Sequence, residues 1–280
     1  MATDTSTTSS PRKYAGLGLH VLMAGLSLGM IVPFIWMVLT SLKSLPELGN
    51  PGWMPGEFRW HNYLDVFAEI PFLRFMVNSF VVAGWVTALQ VLTSSMAAYS
   101  FSRLEWPGRD RVFFLYLGTM MLPGLVMLIP NFENMVKFQL VDTYLGLILP
   151  AAFSAFGTFL LRQFMMGIPK SLDEAAEMDG ASKWQIFWDV VLPLSRPGLV
   201  TLAIFTFIGN FQSFFWPLVM TKSVDKYTLP VGLLFFDTER GQATHLLMAG
   251  VTMSVVPLII VFVLLQRQLI RGIQLGGVKG

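Results

Sequence analysis

Long apolar stretches constrain this chain more than any other feature. Six mostly apolar segments lie at about 17–42, 74–99, 111–132, 144–166, 198–220 and 244–266. A helix needs roughly 20 apolar residues to cross a hydrocarbon core of about 30 Å. Only 13% of the 280 residues are charged, about half the fraction found in a typical soluble domain. The segments therefore predict an all-α membrane protein with six transmembrane helices.

Prolines lie inside five of these segments. A proline removes one backbone hydrogen bond, but neighbouring helices in a membrane can satisfy the freed carbonyl. We therefore expect kinks in these helices rather than helix ends. The prolines are Pro33, Pro123, Pro130, Pro150, Pro217 and Pro257.

The distribution of basic residues indicates the orientation of the chain. Six spans place both termini on one side, and the termini and the loops on their side hold twelve of the nineteen Lys and Arg residues. The positive-inside rule then makes the termini, the 100–111 loop and the 162–197 loop cytoplasmic. We expect residues 1–16 to be a disordered tail and 17–280 a single transmembrane domain. A cleaved signal peptide is the competing interpretation of the first stretch, but the stretch is too long for one.

A polar and charged segment at 167–197 interrupts the apolar pattern. Ser171 and Glu174 have the spacing of a capping box, and so do Ser182 and Gln185. Gly180 lies between the two boxes, where a left-handed residue would end the first helix. The segment therefore predicts a cytoplasmic helix–turn–helix. By itself, its first helix is equally consistent with a solvated acidic surface helix.

The second helix of this segment has an amphipathic pattern. It should run from about Lys183 to Leu192 and stop at Pro193 and Pro197. Apolar residues at helical spacing should face the transmembrane bundle or the membrane surface. They are Trp184, Phe187, Trp188, Val191 and Leu192.

The same segment resembles the EAA loop of binding-protein-dependent ABC importer permeases. The matching pattern is EAA–x2–DGA from Glu174, followed by LPL–x2–P from Leu192. The stretches at 101–111, 140–150 and 266–280 are similar to the carbohydrate branch, represented by the six-span half of the maltose permease. The resemblance covers nearly the whole chain beyond residue 20.

This resemblance implies that the first helix is a coupling helix, which docks into a cleft on an ATPase subunit. Its partners would be a second permease subunit, two copies of the ATPase subunit and an external solute-binding protein. The chain has no G-x-x-x-x-G-K-[ST] sequence, so ATP and Mg²⁺ would bind to the ATPase partners rather than to a cofactor site here. The location would be a bacterial or archaeal plasma membrane. The implied coupling residues are Glu174, Ala175, Ala176, Asp179 and Gly180.

Polar and aromatic side chains within the spans are candidates for the substrate path, because such groups tend to face a cavity or the bundle interior. Hydrogen bonds between helices are the alternative role for each amide. In the fifth span, Phe211 and Gln212 stand where similar permeases often have Trp-Asn. The candidates are Asn78, Gln90, Asn131, Glu133, Asn210, Gln212 and Trp216.

Other functions remain open at this point. A secondary transporter would need inverted repeats or a mid-span ion site, and an intramembrane hydrolase would need a nucleophile motif that is absent. A permease for a polyol or a glycerol phosphate is a further alternative. No cysteine is present, the three histidines lack metal-ligand spacing, and the net charge of +2 gives no reason to expect nucleic acid. The longer outer loops, 43–73 and 221–243, could anchor in headgroups or bind an external partner.

Overall fold

A computed structural model describes residues 12–49, 52–238 and 243–277, with side chains described for 19–49, 52–236 and 243–266. All regular structure in these residues is helical. The helices are α1 (Arg12–Ser41), α2 (Asn62–Glu69), α3 (Phe72–Arg103), α4 (Arg109–Gly118), α5 (Leu128–Lys137), α6 (Tyr144–Ile148), α7 (Ala155–Met166), α8 (Ser171–Met178), α9 (Lys183–Gln185), α10 (Leu192–Leu194), α11 (Arg196–Phe211), α12 (Phe215–Met220), α13 (Leu229–Gly232), α14 (Phe235–Thr238) and α15 (Thr244–Gly277).

Three of these helices are long and apolar enough to cross a membrane: α1, α3 and α15. Two further candidates are bent pairs, one joining 144–151 to α7 at 48° and one joining 183–194 to α11 at 75°. The described residues thus contain three to five candidate spans, where the sequence predicted six. The first helix begins at Arg12, so residues 12–16, which we expected in the tail, are helical. Residues 1–11 lie outside the described part.

The predicted third span, 111–132, is not one helix, and the expectation of a simple kink at Pro123 was wrong. α4 ends at Gly118 and is followed by a short 3₁₀ turn, and α5 begins only at Leu128. Leu122 is extended, with φ −80° and ψ 120°. A residue before proline is pushed out of the helical region by the proline ring, and this places the break directly ahead of Pro123.

Of the other prolines, Pro130 and Pro217 are each the third residue of a short helix, α5 and α12, and not the mid-span kinks that we expected. Pro33 and Pro257 lie inside continuous helices, as expected. At Pro150 the chain breaks between α6 and α7, and side chains of α3 bond the carbonyls of the break. Gln90 Nε2 donates to Ala151 O at 2.9 Å, and Thr93 Oγ1 donates to Ala152 O at 2.7 Å. Neighbouring polar side chains thus permit irregular backbone inside an apolar bundle.

The long helix α3 is the centre of the bundle. It packs against α7 and α11, while α1 packs against α15. Each of the three clusters of buried apolar side chains includes residues of α3: Phe75 in the first, Tyr99 in the second and Val86 in the third. No side chain of α1 between residues 19 and 39 is buried, so most of its surface remains open for lipid or another subunit.

Two polar side chains, Asn78 and Asp142, bond backbone groups of the segment 222–227. Asn78 Nδ2 donates to Asp225 O and Tyr227 O at 2.9 and 2.8 Å, and Tyr144 Oη donates to Asn78 Oδ1 at 2.7 Å. Asp142 accepts from the backbone N–H of 222 and 223 and from the Ser223 hydroxyl. Burial alone would raise the pKa of Asp142, but these hydrogen bonds outweigh it and hold the pKa below its usual range.

The loop 43–73 contains a short helix, α2. Phe58, Trp60 and Phe67 are exposed on this loop. Tyr63 is half-buried, and its hydroxyl lies 2.7 Å from Ser41 Oγ at the end of α1. The exposed aromatic side chains suit a headgroup layer, while Tyr63 fixes the loop to the bundle.

Candidate functional site

The predicted helix–turn–helix is present, but its first capping box is not. Lys170 already has helical dihedral angles, φ −65° and ψ −24°, and α8 has no side-chain cap. Backbone N–H groups of Asp173 and Glu174 donate to Lys170 O. Because the helix starts before Ser171, that residue lies inside the first turn instead of capping it.

The turn after α8 forms as the sequence predicted. Gly180 has φ +84°, a left-handed conformation that glycine adopts without steric cost. The N–H of Ala181 donates to Ala176 O at 3.0 Å, and the N–H of Gly180 donates to Glu177 O at 3.0 Å. These bonds satisfy carbonyls at the end of α8 and fix the direction in which the chain leaves it.

The second capping box is complete. Ser182 Oγ accepts from the N–H of Gln185, and the Gln185 side chain accepts from the N–H of Ser182. The helix does not stop at Pro193, as we had expected, but continues through a π-helical turn (Ile186–Val191) into α10. Pro193 lies in the first turn of α10 and Pro197 in that of α11, where a missing N–H costs little.

The predicted apolar stripe of the second helix is divided between two faces. Phe187 and Val191 are buried, and Leu192 is half-buried. Trp184 and Trp188 are 56% and 40% exposed, so of the two predicted surroundings, the bundle and the membrane surface, they do not face the bundle. A π-helical turn bonds residue i to i+5, which changes the angular spacing that the prediction assumed. The two tryptophans instead form an exposed edge-to-face pair with ring centroids 5.8 Å apart.

Arg103, at the end of α3, holds the hairpin against the bundle. Its side chain is only 3% exposed, and its Nη1 lies 3.2 Å from Oδ2 of Asp173, which is 14% exposed. Its Nη2 donates to Ile168 O at 2.8 Å and also to Met165 O. Arg103 was not among the predicted site residues, although its position at the end of an apolar span could have indicated a contact with the neighbouring polar segment. One side chain thus connects α3, the end of α7 and the first turn of α8.

A cleft of about 550 Å³ lies beside this ion pair. Tyr99 forms part of its wall, and its hydroxyl donates to Lys183 O at 2.9 Å. Three buried polar atoms nearby have no hydrogen-bond partner among the described residues: Arg103 Nε, Trp106 Nε1 and Asp173 Oδ1. The charged side chains lining the cleft are Arg103, Glu105, Lys170, Asp173, Glu174, Glu177 and Lys183.

The motif residues of α8 and its turn form one accessible surface. Glu174, Ala175, Asp179 and Gly180 are exposed, while Ala176 is half-buried and packs against the bundle. A rigid helix with small exposed residues permits close approach by a partner. The hairpin therefore has the geometry of a docking element.

Substitution of the two serines tests the capping geometry. We expect Ser182→Ala to destabilise the second helix by about 1 kcal/mol, because it removes the Oγ acceptor of the Gln185 N–H, although the backbone N–H at 182 can still donate to the Gln185 side chain. Ser171→Ala should change stability far less, because Ser171 caps nothing. Hydrogen exchange of the amides at 183–192 measures the difference. Equal protection in the two variants contradicts the assignment.

A second candidate site is a cavity of about 330 Å³ at the break between α11 and α12. Asn131 from α5, Asn210 from α11 and Ser213 from the break supply its polar side chains. Trp216 also lines it, and its Nε1 donates to Gly146 O at 3.2 Å. The remaining lining residues are Val82, Gly124, Leu125, Leu128, Leu147, Pro150, Ala151, Phe214, Phe215 and Pro217.

The structure separates the predicted path residues into two groups. Asn131, Asn210 and Trp216 come together at this cavity. The other four candidates are not among its lining residues. Asn78 and Gln90 are occupied by hydrogen bonds between segments, and Glu133 and Gln212 are exposed elsewhere.

Comparison with known proteins gives the family. Residues 90–275 match the model of the binding-protein-dependent transport system inner membrane component. The chain is 35% identical to the arabinooligosaccharides transport system permease protein AraQ of Halalkalibacterium halodurans, over 89% of this chain and 91% of the relative. It is 35% identical to the sn-glycerol-3-phosphate transport system permease protein UgpE of Yersinia pestis bv. Antiqua, over 79% and 81%.

A solved structure has the same fold. It is a chain of a bacterial ABC transporter involved in the import of the acidic polysaccharide alginate, with a TM-score of 0.80 and 25% identity. The match covers 94% of this chain and 99% of the solved one. The chain therefore belongs to the binding-protein-dependent transport system inner membrane components, the permease subunits of ABC importers.

Proposed function

We propose that this chain forms one half of the transmembrane pathway of an ATP-driven carbohydrate importer. The observation that carries the proposal is the exposed EAA surface of α8, held rigidly by the Gly180 turn and the Arg103–Asp173 pair. Two ATPase subunits bind ATP and Mg²⁺, and one of them binds this coupling helix. A second permease subunit completes the pathway, and an external binding protein delivers the sugar.

The proposed topology has six spans and cytoplasmic termini. The helices α1, α3 and α15 form three of the spans, and the two bent pairs form two more. The broken segment α4–α5 supplies the remaining crossing, with its irregular backbone beside the cavity at Gly124 and Leu125. The Tyr99–Lys183 and Arg103–Asp173 contacts hold the hairpin next to the end of α3 and the 100–111 loop. The proposed orientation puts both in the cytoplasm.

The proposed mechanism is alternating access. Closure of the ATPase subunits on ATP moves the coupling helix, and the two permease halves rock between inward-facing and outward-facing states. The sugar passes the cavity formed by Asn131, Asn210 and Trp216, whose amides bond hydroxyl groups and whose indole contacts a ring face. A glycerol phosphate or polyol is the alternative solute, since a similar permease bears that name. Permeases with the same fold transport different solutes, so the solute has to be inferred from the residues of the cavity.

Reversal of one charge tests the coupling role. We expect Glu174→Lys to abolish ATP-driven uptake, because it places a cation on the surface that the ATPase subunit contacts. Glu57→Lys is the matched control, since Glu57 is also exposed but lies outside the hairpin and its cleft. Uptake of labelled oligosaccharides into vesicles containing the assembled importer measures both. Normal uptake by an assembled Glu174→Lys complex rules out the proposed coupling surface.

A further inference from the structure

We infer that the solute crosses the α11–α12 cavity as an uncharged sugar, not as an anion. The inference rests on the proposed function and narrows its substrate class. Family membership alone does not decide the charge, because similar permeases are named for a neutral arabino-oligosaccharide and for the anionic glycerol 3-phosphate. The alginate transporter, whose cargo is acidic, has the same fold. The composition of the cavity wall supplies the missing distinction.

The polar side chains of the cavity wall have unused hydrogen-bonding capacity. Asn131 and Ser213 are half-buried, and their side chains have no hydrogen-bond partner among the described residues. Asn210 Nδ2 donates to Thr206 O at 2.8 Å, which leaves its Oδ1 and second N–H open. By contrast, the carbonyl of Asn78 and its amide nitrogen are both engaged. The open atoms of Asn131, Asn210 and Ser213 are not among the buried polar atoms without a partner, so they are accessible from the cavity, where they can bond the hydroxyl groups of a solute.

The cavity wall has no charged side chain. The lining residues of the cavity include no Asp, Glu, Lys, Arg or His. An anion that leaves water for such surroundings loses its hydration and gains no counter-ion, which is costly. Carboxylate and phosphate sites in proteins usually provide arginine or lysine, and neither residue type lines this cavity. The first residues of α5 and α12, Leu128 and Phe215, do line it, but a helix N-terminus supplies only a partial positive charge. The cleft beside Arg103, by contrast, is lined by seven charged side chains.

Three consecutive aromatic residues, Phe214, Phe215 and Trp216, line one part of the cavity. Phe214 and Phe215 pack edge-to-face with ring centroids 5.4 Å apart, and Trp216 is fixed by its bond to Gly146 O. The face of an aromatic ring carries partial negative charge. It therefore attracts the C–H groups of a sugar ring and repels a carboxylate. The wall suits a neutral pyranose or furanose.

The test uses the complete importer with its binding protein in vesicles that contain ATP. The external probes are arabinotriose, xylotriose, maltotriose, cellotriose and chitotriose, together with three anions: trigalacturonate, an alginate trisaccharide and glycerol 3-phosphate. Mass spectrometry identifies the solutes that accumulate. We expect every accumulated solute to be uncharged. ATP-dependent accumulation of any of the three anions overturns the inference but leaves the importer function intact. Accumulation of none of the eight contradicts the carbohydrate-importer function, and the inference falls with it.

A matched pair of variants links the selectivity to the cavity. Asn131 and Asn134 both lie on α5, but only Asn131 lines the cavity, and Asn134 is exposed. We expect Asn131→Lys to reduce uptake of the neutral sugar by about tenfold or more, because the cation must be desolvated in the pathway. Asn134→Lys should retain most of the uptake. Complexes are compared at equal amounts of assembled importer, and equal uptake by the two variants contradicts the assignment of this cavity.

Discussion

Gly180→Phe is expected to abolish ATP-driven import, whereas Gly108→Phe is expected to leave most of it. Both glycines have φ +84°, and at both a Cβ atom would meet no other atom within 4 Å. The local backbone strain is therefore similar, about 1–2 kcal/mol for a non-glycine residue in this region. The two positions differ in where they lie. Gly180 is on the proposed docking surface, and Gly108 is on the neighbouring loop.

Two measurements separate docking from folding in this comparison. Co-purification of the ATPase subunits reports docking, and the apparent melting temperature of the detergent-solubilised complex reports folding. We expect only Gly180→Phe to lose ATPase subunits, while both variants melt at similar temperatures. Gly180→Asn is a useful third variant, because asparagine tolerates a positive φ with a smaller side chain. An equal loss of import at 108 and 180 contradicts a docking role for the turn.

Arg103→Ala is expected to have the largest effect on stability. It leaves Asp173 without its cation and removes donors from Ile168 O and Met165 O. Breaking a buried ion pair by removing one partner costs about 3–5 kcal/mol. We therefore expect the isolated permease to lose most of its folded population or to melt at a much lower temperature. Its hairpin amides should exchange faster than those of the outer loops.

Arg74→Ala is the matched control for this substitution. Arg74 Nη1 lies 2.6 Å from Asp225 Oδ1, a shorter distance than in the Arg103 pair, but the two side chains are 55% and 62% exposed. Exposed ion pairs contribute about 0–1 kcal/mol, so Arg74→Ala should change the melting temperature little. Equal destabilisation by the two substitutions contradicts the role assigned to burial. Arg103→Lys retains the charge but not the fork of donors, and should recover only part of the stability.

Local signals in the sequence predicted the hairpin well. The Ser182 box and the Gly180 turn depend on residues within a few positions of each other, so the pattern contains all the information that they need. The Ser171 box has the same spacing but failed, because the chain is already helical at Lys170. A capping pattern specifies which bonds can form and not where the helix begins.

Long-range contacts were beyond the sequence pattern. Asn78 and Asn210 look alike as amides within apolar spans, yet Asn78 is saturated by backbone groups 147 and 149 positions away. Arg103 finds its partners 62 to 70 positions away. The cavity exists because two helices break, at Pro150 and ahead of Trp216, and the prolines predicted only bends. Sequence reasoning therefore named three cavity residues but could not separate them from the others.

The 75° angle between the hairpin and α11 has a mechanical consequence. Ser195, which is buried, occupies the corner, and α11 extends from it as a rigid rod of 16 residues, or about 24 Å. The far end of this rod carries Asn210. A tilt of about 10° at the corner displaces that end by about 4 Å. In the proposed transport cycle, a small rotation of the hairpin is therefore enough to move the Asn210 end of α11 by several ångströms, because the helix acts as a long lever.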